Sequence, residues 1–255
     1  MEKARETIDD LHTDVGSDPR LCVAQLSGSD SGFVVSHAVL ASRAKQCDVA
    51  LIPEVDFTLK KLATYLGVRM NERVSTELIR RGLVVMAETA IPLDTMAFVD
   101  EKNSCFVDIG LTPQEKDAIK AFEELRRKGK HPVGRAHEDL RTAALKVVSR
   151  GLRQLLDDEL ERPLGSPRLR VVTNELRHQP SAPPSGTDII MGNRLGTLAV
   201  DNALAGYTDF MVSQWLTEYV LVPLKLVVLG RKRIPRSGIF WKSVIAKTGQ
   251  PAELS

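Results

Sequence analysis

Short runs of continuously apolar residues alternate in this protein with longer stretches whose apolar positions recur every three to four residues. "LCVAQL" (Leu21–Leu26), "CDVALIP" (Cys47–Pro53) and "GLVVMAETA" (Gly82–Ala90) have almost no polar face. Such runs predict short strands buried on both sides. Between them, "GFVVSHAVLASRA" (Gly32–Ala44) predicts a helix. A second helix is predicted over "FTLKKLATYLG", with Leu59, Leu62, Ala63 and Leu66 on one face and Gly67 as its stop. Strands of this kind separated by helices predict an α/β fold with a parallel sheet covered on both faces.

The second half continues the alternation with longer connections. Thr112 followed by Glu115, with Pro113 at the first helical position, predicts a capped helix running to about Lys128. After the polar connector "KGKHPVGRAHEDL", a longer helix is expected from about Glu138 to Glu161. "RLRVVTN" (Arg168–Asn174) returns to strand, and Arg177–Asp188 is a Pro- and Ser-rich loop. In "LGTLAVDNALAGYTDF", Leu195, Leu198, Ala199, Asn202 and Ala203 recur with helical spacing, and Gly206 suits a left-handed stop. The apolar segment after Tyr207 is expected to supply strands of the same domain.

Composition narrows the class. The protein has 255 residues, 43% of them apolar and 27% charged, with a net charge of +2. That is ordinary for a soluble globular protein and leaves no whole-molecule field directed at nucleic acid or an acidic membrane. The apolar run Tyr219–Leu229 is broken by Pro223 and Lys225 and is too short to span a bilayer. The N-terminus is charged and has no apolar signal core, and Cys22, Cys47 and Cys105 lack metal-like spacing. A cytoplasmic protein with reduced, packed thiols is therefore expected, with no nucleic-acid or membrane partner. The basic run "GRKRIPR" (Gly230–Arg236) suits a solvated turn beside a phosphate or an acidic partner.

Three groups of residues carry candidate chemistry. In "LSGSDSG" a strand runs into Gly28 and Gly32 and then a helix. That arrangement suits a phosphate at the helix N-terminus, or a plain turn capped by Ser29, Asp30 or Ser31. Glu54 follows a strand-ending proline, where a carboxylate can accept two hydroxyl hydrogen bonds from a sugar or stand in solvent. Arg168, Arg170, Arg177 and His178 surround one strand and its loop, and arginine is well shaped for phosphate. His12, His37, His131 and His137 form no metal or catalytic spacing, and His37 is expected to be a hydrogen-bonded core residue. Neither a nucleophile elbow nor a Gly-x-x-x-x-Gly-Lys phosphate loop is present.

In their order along the sequence, "LSGSDSG", "LIPEVDF", "LVVMAETA", "RLRVVTNELRH" and "DIIMGNRLGTLAVD" resemble the phosphofructokinase family. The corresponding family pieces are a Met-Gly-Arg-x-x-Gly turn, an Ile-Pro-Glu strand end, a strand like "VVVAEGA", an Arg-bearing strand with a His-x-x-Arg loop, and an Asp that opens a helix. "AGYTDF" resembles the Ala-Gly-Tyr-Thr-Gly-Phe of the subgroup holding the plant-type ATP enzymes and the pyrophosphate enzymes. The resemblance covers nearly the whole sequence. It implies a Rossmann-like parallel-sheet phosphofructokinase fold, incomplete at the N-terminus, with residues 1–255 forming the C-terminal, sugar-binding portion.

The function implied is phosphorylation of fructose 6-phosphate to the 1,6-bisphosphate in glycolysis, by a cytoplasmic dimer or tetramer using Mg2+ with ATP or pyrophosphate. The sugar-binding glutamate matches Glu54, and the turn matches Ser27 and Gly28. The arginine that reaches a neighbouring subunit's sugar phosphate matches Arg20. The strand arginine matches Arg168 or Arg170, and the phosphate-binding histidine matches His178, or Arg177 in an ungapped register. Ser29 stands where the family has arginine, and Ser181 where one would follow His178 by three. The family's donor-phosphate loop and catalytic base have no counterpart; "Thr7-Ile8-Asp9-Asp10" fits the helix after the true motif, so no catalytic residue or metal ligand is assigned. A non-catalytic sugar-phosphate-binding or regulatory subunit is the alternative.

Overall fold

A computed structural model describes the protein except for residues 1, 29, 44–46, 78, 104–105, 130–134, 161–169, 177–181 and 231. Ten elements lead up to the Pro- and Ser-rich loop. They are α1 (Glu2–Gly16), β1 (Arg20–Leu26), α2 (Phe33–Ala41), β2 (Val49–Leu51), α3 (Leu59–Glu77), β3 (Arg81–Ala87), α4 (Thr95–Val99), α5 (Pro113–Arg127), α6 (Arg135–Glu159) and β4 (Arg170–Leu176). After the loop come α7 (Gly186–Leu204), β5 (Phe210–Trp215), β6 (Glu218–Pro223), α8 (Leu224–Val227) and α9 (Ile239–Thr248). The protein divides into two compact units, one of residues 1–180 with 233–255 and one of residues 181–232.

In the first unit β1 to β4 form a parallel sheet in the order β2-β3-β1-β4. Leu21–Leu26 of β1 and Gly82–Ala87 of β3 are buried at every position, as runs without a polar face require. Going from β1 to β2 steps one way along the sheet; β2 to β3 and β3 to β4 step back. Right-handed crossovers therefore put α2 on one face and α3 to α6 on the other. The packing agrees: α2 touches α1 and α9, while α6 touches α3, α4 and α5.

Several local expectations hold. Thr112 and Glu115 form a reciprocal capping box with Pro113 inside the first turn of α5. Cys22 and Cys47 are buried free thiols, and burial pushes Cys22 up to about 11; Cys105 lies outside the described residues. Others are corrected. Gly67 does not end α3, which runs on to Glu77, because Leu66, Gly67 and Met70 are all buried and this packing outweighs the roughly 1 kcal/mol helix cost of a glycine. The long helix α6 begins earlier, at Arg135. His37 is an exposed residue whose ring packs against Phe240 and Phe33, so no core hydrogen bond is needed.

β2 is an edge strand of three residues, and its outer edge is covered by a side chain. The Gln250 amide accepts from Ala50 N–H at 2.7 Å and donates to Ala50 C=O at 3.3 Å, as a neighbouring strand would. Gly249, at φ +74°, ends α9 and directs the backbone into this position.

The second unit is small. α7 starts at Gly186, nine residues before the apolar periodicity at Leu195, because Ser185 and Asp188 form a capping box. The Ser185 hydroxyl and N–H hold Asp188 below the usual carboxylate range. Gly206 has φ +92°, as its place at the helix stop predicts. β5 and β6 pair only with each other among the described residues, as an antiparallel hairpin. They are therefore not strands of the parallel sheet. Asp209, where the resembled motif has glycine, has φ +56°, a region glycine enters at least cost. α7 buries none of its residues. Of the exposed large apolar residues among those described, all except Val68, Leu93 and Ile239 belong to this unit, Leu204, Trp215 and Leu216 among them.

Gln250→Ala leaves Ala50 N–H and C=O without their partner and is expected to cost about 1–3 kcal/mol, read from urea denaturation of the 255-residue protein.

Candidate functional site

The loops after β1 and β3 leave toward opposite faces of the sheet, although these strands are neighbours. A crevice opens beyond their C-terminal ends, the position at which open α/β sheets bind ligands. β1 and β3 run in register from Arg20 beside Arg81 to Leu26 beside Ala87. The next residues, Ser27 and Glu88, consequently meet. Ser27 Oγ donates to Glu88 Oε1 at 2.8 Å, and Gly28 N–H donates to Oε2 at 3.4 Å.

The other end of the same turn is held by Glu54. Its Oε2 and Oε1 accept from Gly32 N–H at 3.0 and 3.1 Å, and Oε1 accepts from Ile234 N–H at 3.3 Å. Gly32 is the N-cap of α2; its carbonyl accepts from Ser36 N–H at 2.9 Å, but it has no side chain with which to cap the helix. Glu54 satisfies the donor from across the crevice instead. Asp30 turns away, accepting from Thr89 Oγ1 at 3.0 Å and pairing with Arg233. Glu54, Glu88 and Asp30 are all buried.

This arrangement changes what the glycine turn can bind. The N–H groups of Gly28 and Gly32, expected to suit a phosphate, already face buried carboxylates. A phosphate here would meet like charge, whereas hydroxyl groups would find acceptors. Gly32 also admits no larger residue: a Cβ there would lie 2.5 Å from Ile52 Cβ and 2.9 Å from Glu54 Oε2.

The basic run Gly230–Arg236 finds its acidic partner within the protein. Arg233 pairs with Asp30, and Arg236 with Asp56 at 2.8 Å; Asp56 also accepts from Arg126 at 2.7 Å. Asp30, Asp56, Thr89, Arg126 and Arg233 help line a cavity of about 80 Å³. A roomier cleft of about 380 Å³, beside Val99, Phe106, Asp108 and Lys116, gathers none of the expected site residues.

The remaining expected residues lie elsewhere. Arg20 and Arg170 are register partners at the N-terminal ends of β1 and β4, beside Arg81 on β3. They are roughly 20 Å from the glycine turn at the usual strand rise. Arg20 pairs with Asp14 at 2.8 Å and Asp18 at 3.2 Å, and Arg170 approaches Asp18 at 3.9 Å. Ser27, Gly28 and Glu54 are thus brought together, while Arg20 and Arg170 form a second cluster at the opposite sheet edge. Arg168, Arg177 and His178 lie outside the described residues. Asp9 sits in α1 and pairs with Arg5 at 2.8 Å. Glu88 stands in the run LVVMAETA already matched to the family strand, but is not singled out by it. The register of β1 against β3 reveals its contact with Ser27, and Arg141 of α6, which has no signal of its own in the sequence, donates to it at 3.3 Å.

The family model described as Phosphofructokinase matches residues 1–203. The chain belongs to the phosphofructokinase family. It is 26% identical over 239 residues to an ATP-dependent 6-phosphofructokinase of Borreliella burgdorferi, covering 91% of this protein and 44% of the relative. It is also 26% identical over 222 residues to a pyrophosphate–fructose 6-phosphate 1-phosphotransferase of Streptomyces coelicolor, covering 87% and 51%. The pyrophosphate-dependent phosphofructokinase structure from Nitrosospira multiformis superposes with a TM-score of 0.54 at 15% identity, covering 96% of this protein and 52% of that one. The sequence thus spans about half the length of the curated relatives it matches, and its fold is the phosphofructokinase fold.

Among the described residues no group of three His, Cys, Asp or Glu side chains is placed to hold a metal ion. No described helix is long and apolar enough to cross a membrane.

Gly32→Ala is expected to destabilise the protein by about 2–3 kcal/mol through the clash with Ile52, measured by thermal or urea unfolding. His12 Nε2 lies 3.2 Å from Arg81 at the arginine-rich edge. Burial, then Arg81 and Arg73, lower its pKa below the ordinary 6.5, against the opposing pull of Asp48 and Glu77. The unfolded state then takes up this proton at higher pH than the folded one. Stability falls as pH drops below about 6.5 and is regained above it. His12→Gln, which cannot titrate, is expected to lose less stability between pH 7.5 and 5.5 than the wild type in urea titrations.

Proposed function

We propose that this protein is the fructose 6-phosphate-binding part of a 6-phosphofructokinase, working in the cytoplasm with ATP or pyrophosphate and Mg2+. The observation that carries this reading is that one glycine turn at the topological switch point is held by Glu88 at Ser27 and Gly28 and by Glu54 at Gly32. Family membership supports it, as do relatives named for both donors. The buried carboxylate edge suits sugar hydroxyls. The sugar phosphate then needs cations from elsewhere, and Arg177 or His178 and a neighbouring subunit's arginine are the residues implied by resemblance.

Arg20 and Arg170 share one sheet edge, so if Arg20 serves a neighbouring subunit, Arg170 stands beside it to do the same. That supports a dimer or tetramer. Phosphoryl transfer also needs a positioned donor and a base. We assign neither to these residues; they belong to the part of the family's length that this sequence does not cover. The bare apolar faces of α7 and the β5–β6 hairpin are a surface on which such a part would pack. A second reading, a non-catalytic sugar-phosphate-binding subunit, is favoured by Ser29, which stands where the family turn carries arginine.

Isothermal titration of the 255-residue protein with fructose 6-phosphate tests the proposal. Saturable binding is expected, weakened about tenfold or more in Glu54→Gln, since a hydrogen bond to a charged group is worth about 1.5–3 kcal/mol. No binding by the wild type, or unchanged binding by Glu54→Gln, would remove the sugar site from this position.

A further inference from the structure

The second unit ends at Lys232, and the next four residues are fastened to the crevice. Arg233 pairs with Asp30, which stands between Gly28 and Gly32 in the glycine turn and is 2% exposed. Ile234, also buried, donates its N–H to Glu54 Oε1 at 3.3 Å. Arg236 donates through Nε to the Glu54 carbonyl, and through Nη2 to Asp56 at 2.8 Å. Three acidic residues on the loops after β1 and β2 therefore receive one returning segment. Asp30 carries the contact on to the loop after β3, because it also accepts from Thr89 Oγ1 at 3.0 Å. Thr89 stands where the resembled strand "VVVAEGA" has glycine, so the resembled motif lacks this bond.

The contacts are unequal. A carboxylate as buried as Asp30 persists only with donors and positive charge around it. Thr89 brings a neutral hydroxyl, whereas Arg233 brings charge. Arg236 is exposed, and its partner Asp56 also accepts from Arg126 at 2.7 Å. We infer that residues 233–236 form a strap that fixes the glycine turn, with Arg233 as its positioning residue acting through Asp30, 203 positions away in the sequence. The inference rests on the sugar-binding reading above and deepens it: affinity for the sugar depends on the segment by which the backbone re-enters the first unit. With the strap in place the turn is ordered before the sugar arrives; without it, binding has to order the turn. Another largely buried ion pair supplies the control: Arg73 with Asp48, whose Oδ2 also accepts from Leu83 N–H at 2.8 Å near the start of β3. That pair lies toward the opposite end of the strands.

Calorimetric titration of the 255-residue protein with fructose 6-phosphate, paired with amide exchange of the unliganded protein, tests this. Arg233→Met is expected to weaken binding about tenfold and to speed exchange of the Ile234 and Gly32 amides, both held by Glu54, by a similar factor. Arg233→Gln gives the same direction should the methionine variant fail to fold, and Arg233→Lys restores most of the affinity. Asp30→Asn weakens binding by itself but adds less than about twofold in the Arg233→Met background, because the two side chains act as one unit. Arg73→Met lowers the melting temperature and binds the sugar as the wild type does. Wild-type affinity in Arg233→Met and Arg233→Gln would overturn the inference, as would a fully additive loss on combining Asp30→Asn with Arg233→Met, or an equal loss in Arg73→Met. Should the wild type itself not bind, the functional reading fails separately; unchanged exchange of Ile234 and Gly32 in the Arg233 variants would then refute the strap.

Discussion

Where parallel strands end together and the backbone turns back into a helix, N–H groups are left without strand or helix partners. In this protein two carboxylates on neighbouring strand ends take them. Glu88 faces Gly28 and Glu54 faces Gly32, so one turn is held from both ends. The rest of the crevice follows from that constraint. Asp30 turns instead toward Thr89 and Arg233, and the segment returning to α9 is pinned by Ile234 N–H on Glu54.

Two clusters of paired charges stand at the two ends of the strands. Buried carboxylates with arginine partners, Asp30 with Arg233 and Glu88 with Arg141, lie beyond the C-terminal ends, and Arg20, Arg81 and Arg170 lie beside Asp14, Asp18 and Glu77 at the N-terminal ends. Strand length keeps the clusters apart, so an anionic sugar lying on the first cannot also reach the second in the same sheet. A site combining them needs a second copy of the protein, which is the physical content of the oligomer proposed above.

The second unit has a different character from the first. Two helices, one of only four residues, and a two-stranded hairpin cannot close a core by themselves, and here they leave most of their large apolar side chains exposed. In the first unit the central strands β1 and β3 are buried from Leu21 and Gly82 onward, and the edge strand β2 is paired by Gln250. The contrast matches a sequence that spans about half the length of its relatives.

Elements are legible along the sequence because hydrophobic period and capping chemistry act over a few residues. The buried runs of β1 and β3, the Thr112 capping box and the stop at Gly206 all appear where local pattern puts them. Motif order also singles out Glu54, Ser27 and Gly28, and the fold sets all three around one glycine turn. Local pattern misjudges Gly67 and His37, whose outcomes depend on what packs against them. Other features have no local signal at all. Strand order decides that Ser27 meets Glu88 and that Arg20 and Arg170 share the far end of the sheet, and the packing of α6 decides that Arg141 meets Glu88. A residue's type and spacing record what it can bond to, but which partner it meets depends on register between strands distant in sequence, and only the folded sheet supplies that.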